Sequence, residues 1–157
     1  PFGTHARRQL HRAIGALPDA QPGAATALVQ EQHLARVDQV RILDLGVDLV
    51  SPVASKHDTA LCDLGITEAD FLLPETGTLV LRSSAEKPRA VSLLPRIHLA
   101  IVRPSMLRAD MHDVFAEAKD SPYLVFITGP SRTADIELTV TLGVHGPKAL
   151  HVWVLEY

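Results

Sequence analysis

The strongest constraint on the fold is a short run of almost uninterrupted apolar residues. The run Ile97-His98-Leu99-Ala100-Ile101-Val102 contains one polar side chain and is far too short to cross a membrane as a helix. Strands that are apolar at successive positions are typical of sheets covered on both faces, and such sheets are mostly parallel. We therefore predict a buried strand at residues 97–102 within an α/β fold.

Helical and strand patterns alternate over the last third of the chain. Met106–Lys119 has apolar side chains on one helical face, and Tyr123–Ile127 is typical of a buried strand. Thr133–Leu142 is predicted to be a helix and Leu150–Leu155 a strand. This alternation indicates βαβ units around a parallel sheet. Short strands predicted at 69–73, 78–82 and 91–94 favour a mixed sheet over an all-parallel one.

The first third of the chain is predicted to be largely helical. Helices are expected at 4–15 and Thr26–Leu45, followed by a strand at Val47–Val53 and a short helix at His57–Leu64. A length of 157 residues points to one structural domain. We expect a helical segment over 1–45 to pack on an α/β domain formed by 46–157.

Composition excludes several classes of protein. The net charge of −3 and the absence of long basic runs argue against a nucleic-acid partner. The single cysteine, Cys62, excludes an internal disulfide and an iron–sulfur cluster held by this chain alone. No stretch has the length of a membrane span, and the N-terminus lacks the apolar core of a signal peptide. These features predict a soluble, cytoplasmic protein that holds no cofactor of its own.

The segment from Gly129 to Asp135 is the best candidate for a ligand site. It follows a predicted strand and leads into the predicted helix at Thr133, whose unpaired N–H groups would attract an anion. Ser131 adds a hydroxyl and Arg132 a guanidinium suited to carboxylate or phosphate. Ligands of open α/β sheets bind beyond the carboxyl ends of strands, where this loop is expected. Alternatively, its hydroxyl side chains are only helix caps.

Two further turns contain candidate functional residues. Glu75 lies in the turn Pro74-Glu75-Thr76-Gly77-Thr78, where a glutamate is usually a solvated turn residue. His145 lies in Gly143-Val144-His145-Gly146-Pro147, where it could simply interact with the end of the predicted helix. The chain lacks a phosphate-binding loop, a dinucleotide fingerprint, a hydrolase nucleophile elbow and the histidine spacing of a zinc site. No metal site is therefore expected.

Three motifs in order resemble the LUD-domain family and, within it, the lactate utilization proteins. They are Glu75-Thr76-Gly77-Thr78, then Ser92-Leu93-Leu94-Pro95-Arg96 with His98, then residues 129–137 with 143–147. The resemblance covers residues 64–157. It implies a three-layer α/β/α sandwich with a mostly parallel mixed sheet, similar to glucosamine-phosphate deaminase, ribose-phosphate isomerase and the CoA transferases. It also implies a role in oxidising L-lactate to pyruvate beside partner proteins that carry iron–sulfur clusters.

The resemblance suggests which residues form the site, and we assign their roles as hypotheses. The residues that it implies are Glu75, Thr76, Gly77, Thr78, Gly129, Ser131, Arg132, Thr133, Asp135, Glu137, His145 and Gly146. The first hypothesis is an accessory protein or subunit that binds a small anionic ligand or a partner at 129–135. The second is a free-standing enzyme acting on a phosphosugar or thioester, with Glu75 as base or nucleophile. The third is a scaffold in which the loop is only a cap.

Overall fold

The structure, a computed structural model, describes residues 25–29, 47–50, 56–134 and 140–155. The helix predicted at 4–15 and most of the one predicted at 26–45 lie outside these residues. The described elements, in chain order, are β1 (Ala25–Val29), β2 (Val47–Val50), α1 (Lys56–Ala60), β3 (Leu64–Glu68), β4 (Phe71–Leu73), β5 (Thr78–Ser83), α2 (Ala90–Leu93), β6 (Ile97–Val102), a 3-10 turn (Pro104–Met106), α3 (Met111–Ala118), β7 (Tyr123–Ile127), β8 (Arg132–Ala134), β9 (Val140–Leu142) and β10 (Ala149–Val154).

A five-stranded parallel sheet forms the centre of the fold. Its strand order is β10-β6-β3-β1-β2, and all four neighbouring pairs run parallel. Every residue of β3 and β6 is buried, as expected of strands covered on both faces. The predicted α/β fold with a mostly parallel sheet and the predicted buried strand at 97–102 are therefore confirmed.

A second sheet, antiparallel, has the order β4-β5-β7 and packs on one face of the parallel sheet. Ala100 and Val102 of β6 meet Leu79 and Leu81 of β5 in one hydrophobic cluster. The opposite face of the antiparallel sheet packs against Val114 of α3 in a second cluster. The strand predicted at 123–127 is confirmed as β7, but the prediction that it is buried within a parallel βαβ unit is wrong. β7 has apolar contacts on both faces, which explains its sequence, but it pairs antiparallel with β5 and is partly exposed.

Several short elements of the structure differ from those predicted from the sequence. Residues 91–94 were expected to form a strand, but 90–93 form α2 because a short apolar run fits either state and Pro95 ends it. The helix predicted over 57–64 ends at Ala60, and Leu64 already belongs to β3. The helix predicted from Thr26 is wrong over residues 26–29, which form β1 between β2 and β3. Pairing within a sheet outweighs local helical periodicity there.

The helix predicted over 106–119 is confirmed as α3 from Met111, five residues later than expected. Asp110 explains this start, because its Oδ1 accepts hydrogen bonds from the backbone N–H groups of His112 and Asp113, at 2.7 and 3.1 Å. An aspartate in this position satisfies donors that the first helical turn leaves unpaired. The strands predicted at 47–53, 69–73, 78–82 and 150–155 correspond to β2, β4, β5 and β10 with shifted ends.

Gly65 of β3 allows α2 to pack directly on the parallel sheet. A Cβ atom at this position would lie 1.9 Å from the carbonyl oxygen of Val91 and 3.1 Å from Cγ of Pro95. Both neighbours are close because backbone approaches backbone here. Gly65 is paired in register with His98 of β6, so α2 covers the face of the sheet on which the His98 side chain lies.

We expect Gly65→Ala to destabilise the protein by about 1–3 kcal/mol, because the added methyl group overlaps a backbone carbonyl that cannot move alone. Gly129→Ala is the matched control, since nothing lies within 4 Å of its added Cβ. Urea unfolding of both variants measures the difference. Equal unfolding midpoints for the two variants would contradict the close contact between β3 and α2.

Candidate ligand pocket

A pocket of about 180 Å³ lies between α2, the parallel sheet and two loops. Its floor includes His98 and Leu150, which are paired in register as the second residues of β6 and β10. The remaining wall comes from α2, from the end of β7 with the loop after it, and from the turn before β10. The lining residues are Ser92, Leu93, His98, Val125, Phe126, Ile127, Thr128, Gly129, Ser131, His145, Gly146, Pro147 and Leu150.

The two loops of the wall are tied together by their backbones. The N–H of Ser131 donates to the carbonyl of Pro147 at 2.9 Å, and the N–H of Gly143 donates to the carbonyl of Ser131 at 3.0 Å. Gly146 is close enough that an added Cβ would lie 3.2 Å from Cβ of Ser131. The segments around 129–131 and 143–147 therefore form one continuous wall.

His98 is a deeply buried polar side chain of the pocket. It is 1% exposed, and its Nε2 is hydrogen-bonded to Oγ1 of Thr67 at 2.8 Å. Its Nδ1 is buried and has no hydrogen-bond partner. Burial disfavours the charged ring and lowers the pKa of His98 to about 4. The pocket lining thus includes a neutral imidazole whose Nε2 is hydrogen-bonded and whose Nδ1 has no partner.

Arg132 lies in a wider cleft that adjoins the pocket. This cleft, of about 480 Å³, is lined by Thr128, Gly129, Pro130 and Arg132. Thr128 and Gly129 also line the pocket, so the two cavities share a border. Arg132 is exposed and its side chain provides a positive charge at this border.

The turn that contains Glu75 is connected to the same border by hydroxyl groups. Oγ1 of Thr76 lies 2.7 Å from Oγ1 of Thr78, which in turn lies 3.1 Å from Oγ1 of Thr128. Gly77 has a φ of 66°, a left-handed conformation that glycine adopts without strain. Glu75 itself is exposed and is not part of the pocket wall.

The helix predicted over 133–142 is wrong over the residues described there, 133–134 and 140–142. Residues 132–134 and 140–142 form β8 and β9, an antiparallel pair in which Thr133 faces Thr141 in register. The β-branched residues Thr133, Val140 and Thr141 favour strands. The sequence nevertheless predicts a helix because the residues near 131–135 are of types that cap helices. Anion binding by a helix start at Thr133 therefore has no structural basis. Asp135 and Glu137 lie outside the described residues.

The pocket also lies at the opposite end of the sheet from the one expected. The expected place, beyond the carboxyl ends of the strands, is where Glu68 of β3 and Arg103 after β6 form an ion pair with 2.5 Å between Nε and Oε1. The pocket instead adjoins the second residues of β6 and β10, near their amino ends. Because β7 runs in the antiparallel sheet, its carboxyl end reaches this region.

The structure thus brings some predicted site residues together and separates others. Gly129, Ser131, His145 and Gly146 line the pocket and Arg132 lies in the adjoining cleft, whereas Thr133 belongs to the hairpin. Sequence reasoning grouped His98 with its motif but gave it no role. The signal was a single polar residue within an otherwise apolar strand.

Within residues 25–29, 47–50, 56–134 and 140–155, no three His, Cys, Asp or Glu side chains are grouped so that they could hold a metal ion. None of the helices described here has the length and apolar character needed to cross a membrane.

This chain belongs to the LUD domain family, whose sequence model matches residues 21–155. It is 43% identical over 108 residues to a lactate utilization protein C from Shouchella clausii, a match covering 64% of this chain and 47% of that protein. It is 36% identical over 133 residues to a lactate utilization protein C from Macrococcus caseolyticus, covering 73% of this chain and 58% of the relative. The chain therefore spans about half the length of these relatives.

A solved structure has the same fold. The crystal structure of a DUF162 family protein from Deinococcus radiodurans superposes with a TM-score of 0.60, covering 96% of this chain and 98% of that one. At 19% sequence identity the likeness concerns the fold alone.

His98 makes stability depend on pH in a defined direction. The unfolded state takes up a proton near pH 6.5, whereas the folded state does so only near pH 4. The free energy of unfolding therefore has its full value above pH 6.5 and falls by about 3 kcal/mol as the pH drops toward 4. Urea unfolding at pH 7.5 and 4.5 should show this loss in the wild type, in excess of the loss in His98→Phe. The same pH dependence in both proteins would mean that His98 is not buried as a neutral ring.

Proposed function

We propose that this chain is an accessory component of a lactate-utilisation system and binds a small anionic ligand in the pocket beside His98. The naming of its relatives as lactate utilization protein C supports the first part. One observation supports the second: residues from two of the three family-like motifs line a single pocket, and these are 92, 93, 98, 129, 131 and 145–147.

The dimensions of the pocket favour a small molecule. At about 180 Å³ the pocket has room for several water-sized groups. Lactate and pyruvate are small acids of this size class. A phosphosugar or an acyl carrier would extend through the adjoining cleft at Arg132.

We further propose that the redox centres belong to partner proteins with iron–sulfur clusters. Cys62, the single cysteine of the sequence, is 2% exposed. Burial, followed by the negative charges of Asp63 and Asp58, raises the pKa of its thiol and keeps it protonated. A buried protonated thiol is a poor metal ligand and a poor nucleophile.

Reconstitution tests the pathway assignment. The protein is purified together with the iron–sulfur proteins of the lactate system from the same source, and co-elution and L-lactate oxidation are measured. We expect co-elution and a loss of oxidation when this chain is omitted. Absence of association together with full oxidation without this chain would refute the assignment.

A second experiment tests the anion site through the geometry of the arginine side chain. We expect Arg132→Lys to weaken binding of L-lactate or pyruvate several-fold by calorimetry, because lysine lacks the planar two-point fork for a carboxylate. Arg89→Lys is the matched control, an exposed arginine outside both cavities. Equal affinities in wild type and Arg132→Lys would argue against two-point capture.

The enzyme hypothesis is favoured by one observation, the hydroxyl chain that places the turn of Glu75 beside Thr128. In that alternative, Glu75 acts on the part of a phosphosugar or thioester that lies in the cleft. Glu75→Gln should then abolish turnover of such a substrate while leaving lactate-system assembly unchanged. The exposed Glu86, which lies in the loop after β5, provides the matched Glu86→Gln control.

A further inference from the structure

We propose that His98 recognises the uncharged end of a small carboxylate ligand. A hydroxyl or carbonyl oxygen of the ligand hydrogen-bonds Nδ1 of His98 inside the pocket, while the carboxylate remains at the border with the cleft, beside Arg132. This inference rests on the ligand pocket of the proposed function and specifies how that pocket selects its occupant.

The first argument is the unpaired nitrogen. Nδ1 of His98 is buried and without a partner, and buried polar atoms in folded proteins nearly always have one. Leaving such an atom unsatisfied costs about 1–3 kcal/mol. His98 is one of the residues that line the pocket, and we infer that a molecule bound there supplies the missing hydrogen bond.

The second argument is that Thr67 fixes the ring without fixing its proton. The hydrogen bond between Nε2 and Oγ1 of Thr67 holds the imidazole in place, and a threonine hydroxyl can either donate or accept. When Thr67 accepts, Nδ1 is an acceptor and suits a ligand hydroxyl. When Thr67 donates, Nδ1 carries the proton and suits a ligand carbonyl. One pocket can therefore bind a 2-hydroxy acid and the corresponding 2-oxo acid.

The third argument is the distribution of charge. None of the described side chains that line the pocket is an aspartate, glutamate, lysine or arginine, and much of the wall is apolar. Burying a carboxylate there without a cationic partner would carry a large desolvation cost. The adjoining cleft, in contrast, contains the exposed guanidinium of Arg132. In the proposed arrangement the ligand carboxylate thus lies on the Arg132 side of the border at Thr128 and Gly129, and the hydrogen bond to His98 lies on the pocket side.

Nitrogen NMR of the wild-type protein with ¹⁵N-labelled histidine tests the inference directly. The His98 signals are assigned by their loss in His98→Gln. The probes are L-lactate, pyruvate, glycolate and glyoxylate, with propionate as the matched ligand that lacks an oxygen at C2. We expect Nδ1 of His98 to shift with the four oxygenated acids, in opposite directions for hydroxy and oxo acids, and propionate to bind about tenfold more weakly.

Calorimetry of two variants provides a second, independent readout. His98→Phe keeps an aromatic ring but removes both ring nitrogens, and we expect it to lower lactate and pyruvate affinity about tenfold. His151→Phe is the matched control, because His151 lies on the neighbouring strand and on the opposite face of the sheet, outside the pocket. Affinity in this control should equal that of the wild type.

Several results would overturn the inference. They are unchanged His98 signals with every probe, propionate binding as tightly as lactate, or equal affinities in His98→Phe and His151→Phe. The NMR arm needs only folded wild-type protein for the ligand titrations. The reconstitution experiment is independent of these results, so the pathway assignment and the role of His98 can fail separately.

Discussion

One face of the parallel sheet is shared by two covering elements, and the candidate site lies between them. α2 packs over Gly65, where the missing side chain allows backbone contact. The antiparallel sheet packs over Ala100 and Val102. His98 lies between these two areas of contact, and the space above it is the pocket. The contacts on either side of His98 thus determine where this pocket lies.

The burial of His98 also determines the chemistry of this pocket. An imidazole that is neutral at physiological pH forms hydrogen bonds but carries no charge, which suits recognition of an alcohol or carbonyl. The positive charge of Arg132 lies outside, in the cleft that shares Thr128 and Gly129 with the pocket. At the other end of the strands, where open α/β sheets usually bind ligands, the ion pair of Glu68 and Arg103 is present instead.

Much of the fold was predictable from local patterns, and the failures have specific causes. The buried run 97–102 was identified because a strand covered on both faces needs apolar residues at every position. β3 was missed because Gly65 resembles a helix stop, whereas its role is to admit α2, a contact with residues 26 positions away. The hairpin of β8 and β9 was assigned as a helix from its capping residue types. The prediction of a ligand site at this loop depended on the mistaken helix start as well as on the family resemblance, and Gly129 and Ser131 nevertheless line the pocket.

A crystal structure of the protein with bound L-lactate tests the central claim most directly. The account predicts the ligand hydroxyl within hydrogen-bond distance of Nδ1 of His98 and the carboxylate toward Arg132. Lactate bound instead at the carboxyl ends of β3 and β6, beside Glu68 and Arg103, with the pocket at His98 unoccupied, would contradict it.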